Sequence, residues 1–172
     1  MIMLDLKNSI STIQSSNKTL FILCGFPYAG KSYIVSQIRP QADIKVVSID
    51  DIFIAKGFDW DTNVLPGMNE WEQIFNKSYE KTKDNLLQGR SVLYDSTNQT
   101  VASRNKLREI AESVGADSCV LYIKTPVETV WQRWEGNQNN PTRSVVNRDL
   151  VQQIIDMFEE PTEDERPLTI LN

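Results

Sequence analysis

The stretch TLFILCGFPYAGKS, residues 19–32, decides how the rest of the chain is read. Its first half, Thr19 to Cys24, is a short apolar run that stops at a glycine, the pattern of a buried strand. Its second half, Gly25 to Ser32, has the spacing G-x-x-x-x-G-K-[ST], and a helix is expected from about Lys31 to a stop near Pro40. A strand that leads through such a loop into a helix makes a phosphate cradle. Gly30 can adopt backbone angles closed to other residues. Successive N–H groups then turn inward, and the positive end of the following helix points at the same place. Lys31 supplies a charge for β- and γ-phosphates, and the Ser32 hydroxyl is a ligand for Mg²⁺. Gly25, Phe26, Pro27, Tyr28, Ala29, Gly30, Lys31, Ser32 and Tyr33 are therefore candidates to bind a nucleoside triphosphate, with ATP and Mg²⁺ as the expected cofactors.

Outward from this loop, strands and helices alternate. Lys45–Ile49 reads as a second strand, Ser91–Tyr94 as a third, Ser118–Ile123 as a fourth and Leu168–Leu171 as a fifth. The clearest helix carries Trp71, Ile74, Phe75, Ser78, Tyr79, Thr82 and Leu86 on one face, with Asn69 as the expected N-cap and Gly89 as the stop. Further helices are expected over Arg104–Val114, from Pro126 to about Glu135, and over Leu150–Phe158. The alternation predicts an α/β fold: a three-layer α/β/α P-loop NTPase arrangement around a mainly parallel five-stranded sheet. One domain over residues 1–172 is expected. Residues 1–18 would be an N-terminal arm or short helix, and the polar segment at about 136–147 part of a lid.

Composition narrows the function. The 172 residues are 40% hydrophobic and 24% charged, with no apolar run near the roughly 20 residues that span a bilayer. No membrane association is expected. The start, MIMLDLKNSISTIQ, does not read as an export signal, so a cytoplasmic location is expected. Cys24 and Cys119 sit in strand-like runs and read as small buried residues. The chain has no histidine, so acid–base chemistry falls to carboxylates, lysine or water. A net charge of −5 argues against broad duplex binding, which needs a basic face.

The other strand ends choose among kinases, ATPases and GTPases, because ligands in such sheets lie outside the carboxyl ends of the strands. Asp50 and Asp51 follow the second strand, and Asp95 ends the third in VLYD. One carboxylate cluster would hold Mg²⁺ and the other accept the proton of an attacking hydroxyl, which is the kinase arrangement. Asp51 also reads as an N-cap for a short helix, and Asp95 as a turn residue before STN. No N-K-x-D guanine-reading segment is present.

With GFPYAGKS, SIDDIF and YDSTN, the chain resembles the polynucleotide-kinase-like group of P-loop kinases, short adenylate-kinase-like folds that phosphorylate hydroxyl groups. The resemblance runs from about Thr19 to Asn172 and includes F-E-E-P-x-x-x-E over Phe158–Glu165. It implies Asp50 as general base, Lys31 and Ser32 as phosphate and Mg²⁺ ligands, and Asp95 or Ser96 as the group that organises Mg²⁺ or acceptor. It implies that Thr97 and Asn98 shape that strand end, that Arg104 contacts acceptor or phosphate, and that Arg133 in WQRW is the lid arginine. Arg143 and Arg148 are further lid candidates. Arg104, Arg143 and Arg148 read equally as solvated surface residues. Where the phage polynucleotide kinase has an arginine for the acceptor's 3′ phosphate, this chain has Phe53. Phe53, Phe58, Trp60 and Trp71 either line a pocket for a flatter or smaller acceptor or belong to the core.

The expected function is thus transfer of the ATP γ-phosphate to a hydroxyl acceptor, either a nucleic-acid 5′ end or a small molecule such as a nucleoside, sugar or antibiotic. The alternatives are a nucleotide-dependent regulatory module without a true acceptor, and a toxin-like kinase of the same fold.

Overall fold

The computed structural model describes residues 2–3, 6–62, 64–139, 141 and 144–171. In chain order the elements are β1 (Ile2–Met3), α1 (Leu6–Ser15), β2 (Thr19–Cys24), α2 (Lys31–Ile38), β3 (Ile44–Ser48), α3 (Ile49–Ala55), α4 (Met68–Leu87), β4 (Ser91–Asp95), α5 (Val101–Ser113), β5 (Asp117–Lys124), α6 (Val127–Asn139), α7 (Arg148–Asp156), a 3-10 turn at Glu163–Glu165, and β6 (Leu168–Leu171).

The strands form one sheet in the order β1-β6-β5-β2-β4-β3, and every pairing is parallel. The five expected strands are all present, and the two-residue β1 adds a sixth beside β6. β2 is central and buried along its whole length, as its unbroken apolar run requires. Leu20, Ile22 and Cys24 join a core with Ile74 and Leu86 of α4 and Leu107 of α5. Phe21 and Leu23 point the other way, into a core with Ile10 and Ile13 of α1 and Ile34 and Ile38 of α2. The sheet is therefore covered on both faces. After β2 the chain crosses to β3 and β4 on one side, then to β5 and β6 on the other. This reversal of direction makes the carboxyl end of β2 the topological switch point, the place where ligands bind in such sheets.

Several local expectations are corrected. Helix α4 starts at Met68 and its N-cap is Gly67, not Asn69, because the Glu70 carboxylate accepts the Gly67 N–H. β3 ends at Ser48, so Ile49 belongs to a helix rather than a strand. The α3 cap is Ser48, whose hydroxyl accepts the Asp51 N–H at 3.2 Å, so Asp51 is not the cap. Helix α6 continues to Asn139, which makes the first four residues of the expected lid segment helical. Arg143 lies outside the described residues.

Candidate functional site

The loop Gly25–Gly30 leaves β2 and folds back over its end. Gly25 N–H donates to Thr97 O at 3.2 Å, and Ala29 N–H closes a turn on Phe26 O at 3.1 Å. Tyr28 (φ 62°) and Gly30 (φ 100°) both take left-handed backbone angles. A tyrosine adopts such a conformation only when its surroundings over-determine it. Here its side chain is buried against Val130 of α6 and Val151 of α7, its carbonyl accepts from Arg133 Nη1 at 3.2 Å, and its hydroxyl accepts the Val146 N–H at 3.3 Å. Thr125, just past β5, donates its hydroxyl to Ala29 O at 3.0 Å. The loop is thus held by both neighbouring strand ends and by the segment beyond α6.

Helix α2 begins at Lys31 with no side-chain cap and no acidic residue in its first turn. By contrast α3, α5 and α7 are capped by Ser48, Thr100 and Asn147. A helix N-terminus without a side-chain cap that follows a left-handed glycine is the arrangement that holds phosphate. Lys31 Nζ lies on the loop's own carbonyls, 3.0 Å from Gly25 O and 2.7 Å from Phe26 O.

The carboxylates stand at the neighbouring strand ends. Asp95 closes β4 in register with Ser48 of β3. Asp50 and Asp51 occupy the exposed first turn of α3, immediately beyond Ser48. Among the described residues no cluster of three or more acidic, cysteine or histidine side chains forms a metal site by itself. The hard oxygen donors Ser32 and Asp95 suit Mg²⁺, which takes one or two protein ligands and completes its shell with water and phosphate.

Arg133, for which the resemblance implies a lid role, donates from Nη1 to Tyr28 O of the phosphate loop at 3.2 Å. Arg148 instead stacks over the Trp131 ring, 4.8 Å from its centroid. Arg104 requires correction. It has no exposed surface and is neither a ligand contact nor a solvated residue. Its Nε and Nη2 bond Glu165 Oε1 and Oε2 at 2.6 and 3.1 Å. Burial works to raise the Glu165 pKa, but hydrogen bonds from Arg104 and from the Thr162 backbone outweigh it and hold the carboxyl below its ordinary value. Asn98 is likewise buried, and its side-chain N–H donates to Leu23 O at 2.6 Å. Cys24 beside it remains a thiol: burial pushes its pKa up to about 12, against the pull of Arg104 and Lys31.

Phe53 is fully buried and lines no pocket. It stacks on Trp60 at 4.7 Å and on Trp71 at 5.7 Å, with Phe58 at 5.6 Å. The position three residues after Asp50 is therefore core, and the other three rings pack against that core while remaining partly exposed.

Three contacts were not anticipated from sequence. Phe158 packs on Phe26 of the loop, with ring centroids 4.5 Å apart. Asp61 accepts from Ser144 Oγ at 3.1 Å and from Val145 N–H at 2.9 Å, tying the segment after α3 to the segment after α6. Trp134 Nε1 donates to Val146 O at 2.8 Å. Of these, only F-E-E-P at 158–161 stood out in the sequence.

Known proteins agree with this architecture. Chaetomium thermophilum Kti12, solved in complex with ADP-AlF3, superposes with a TM-score of 0.66 at 20% identity over 88% of each chain. A chain of the Pnkp1/Rnl/Hen1 RNA repair complex gives a TM-score of 0.69 at 21% identity. The match covers 81% of this chain and 43% of that one. A gluconokinase from Sinorhizobium meliloti 1021 gives 0.62 at 14% identity, over 90% and 82%. At these identities the likeness establishes the P-loop kinase-like fold and does not single out the polynucleotide-kinase-like group within it. No curated protein matches the chain significantly. Among the described residues no helix is long and apolar enough to cross a membrane. The family model described as chromatin associated protein KTI12 matches residues 19–170, and the chain belongs to that family.

Proposed function

We propose that this protein is an ATP-dependent phosphotransferase that moves the γ-phosphate of ATP to a hydroxyl acceptor. The observation that carries this reading is Arg133 of α6 on the backbone of the phosphate loop, 3.2 Å from Tyr28 O. An arginine supplied by the same chain at that place can neutralise charge on a phosphoryl group in transfer. Gly25 to Tyr33 hold the triphosphate, and Lys31 turns from the loop carbonyls to the β- and γ-phosphates. Ser32 and Asp95 would hold Mg²⁺, which would supply positive charge to offset that of the phosphates. Asp50, exposed on the first turn of α3, accepts the acceptor's proton; Asp51 and Ser96 border the same cleft. The domain acts as one unit over residues 1–172, with the segment at about 136–147 as its lid, in the cytoplasm. The acceptor is a small molecule or a nucleic-acid 5′ end.

A second reading, a nucleotide-dependent regulatory module without a true acceptor, is favoured by the family's description, which names chromatin association and no transfer. The two separate in one experiment. Transfer from γ-labelled ATP with Mg²⁺ is measured to 5′-hydroxyl oligonucleotides, nucleosides, sugars and aminoglycosides. Asp50→Asn should abolish label on the acceptor and leave ATP binding nearly intact, and Lys31→Ala should lose transfer. Free phosphate as the only product, equal in wild type and Asp50→Asn, would favour the regulatory module.

A further inference from the structure

The turn that follows β4 holds the start of the phosphate loop, and a buried ion pair holds that turn. Thr97 O accepts the Gly25 N–H at 3.2 Å. Asn98, with a left-handed backbone (φ 45°), donates from its side chain to Leu23 O at 2.6 Å. The Asn98 carbonyl accepts from Cys24 Sγ at 3.5 Å and from Arg104 Nη1 at 2.9 Å. Leu23, Cys24 and Gly25, the residues over which β2 becomes loop, are thus each bonded to one of two consecutive residues, Leu23 and Cys24 to Asn98 and Gly25 to Thr97. Arg104 is fixed by its two-pronged bond to Glu165, and both side chains are fully buried. Glu165 is fixed in turn, since Thr162 N–H donates to Oε2 at 2.9 Å and Thr162 Oγ1 at 3.2 Å.

A buried ion pair is seldom more stabilising than apolar residues of the same volume. What the fork geometry of arginine adds is direction, because its N–H groups point along fixed lines. We propose that Arg104 and Glu165 are positioning residues for nucleotide binding: they lock the Asn98 carbonyl and through it the angle at which β2 delivers Gly25 to the phosphate cradle. This rests on the nucleotide-binding reading of the loop. The segment Phe158–Glu165 then serves the site from a distance, with Phe158 against Phe26 at one end and Glu165 behind Arg104 at the other.

The test is titration of a fluorescent ATP analogue with Mg²⁺ into wild type, Arg104→Lys, Glu165→Gln and the double variant Arg104→Met/Glu165→Leu. Each is held at a temperature where circular dichroism shows it folded. The double variant refills the volume without charge, so it keeps the fold even if a single variant does not. It leaves the Asn98 carbonyl without its arginine donor, and about a tenfold rise in Kd is expected. A contact of that kind to a charged donor is worth about that much. If the folded double variant binds as tightly as wild type, the pair only supports folding and the inference is overturned. A wild type with no measurable affinity would sink the nucleotide-binding reading itself, and this inference with it.

Discussion

Replacing Gly25 by alanine tests whether the phosphate loop is seated as tightly as its geometry implies. A Cβ at Gly25 would lie 2.9 Å from Ile123 O, 3.3 Å from Ile123 Cβ and 3.5 Å from Ala29 Cβ. The closest of these is a backbone carbonyl of β5, which sits between β2 and β6 in the sheet and cannot swing aside. The loop must therefore move. Overpacking a well-filled site costs about 1–3 kcal/mol. Taken as about 2 kcal/mol with a urea dependence of about 2 kcal/mol/M, this lowers the urea midpoint by about 1 M. The same loss lowers Tm by about 4–8 °C for a chain of this size. The displacement also pulls the Gly25 N–H off Thr97 O, so affinity for the ATP analogue should fall with stability. The four tryptophans report the urea transition by fluorescence. Gly136→Ala is the matched control. Gly136 lies within α6, where an added Cβ meets nothing within 4 Å, so alanine should stabilise by about 0.5–1 kcal/mol. If Gly25→Ala unfolds at the wild-type midpoint and binds nucleotide normally, the seating of the loop against β5 is refuted.

Two further outcomes are expected. The Glu165 carboxyl has its folded pKa below the ordinary 4.5, so its stabilisation is present above that value and lost as pH falls through the lower folded pKa. The stability difference between wild type and Glu165→Gln should therefore shrink in acid, and a difference constant with pH would contradict the assignment. Asp61→Ala removes both acceptors that hold Ser144 and Val145. With about 1 kcal/mol lost locally, the Val145 amide should exchange hydrogen about fivefold faster while the urea midpoint stays put. Unchanged exchange would mean that Tyr28 and Trp134 hold the segment without Asp61.

What the sequence made legible was local in the chain. TLFILC contains no charged residue, so its burial on both faces of a central strand could be read directly, and GFPYAGKS specifies its own backbone. The helix face Ile74, Ser78, Thr82 and Leu86 is buried as its spacing implied, while Phe75 sits at the exposed margin. The short β1 escaped notice because two residues carry no periodicity. Arg104 was misread because its partner lies 61 residues away in sequence. The clue was present: Arg104 stands three residues before Leu107, on the apolar side of α5, where a charge must find a counter-charge. Asp61 and Val145 are 84 residues apart, and no spacing rule connects a turn after α3 to a strap after α6.

The place of β6 in the sheet bears on how the chain is made. β6 inserts between β1 and β5, although it follows β5 by 47 residues and β1 by most of the chain. During synthesis at about 5–20 residues per second, the outer edge of β5 therefore stands open for about 2–9 s after it leaves the ribosome. An unpaired strand edge next to an apolar face is a template for wrong partners. The interval ends when β6 arrives, bringing Glu165 to Arg104 just ahead of it. On the positioning role proposed for Arg104 and Glu165, the nucleotide loop reaches its working geometry only after β6 is made, and nascent-chain crosslinking at β5 views the open interval directly.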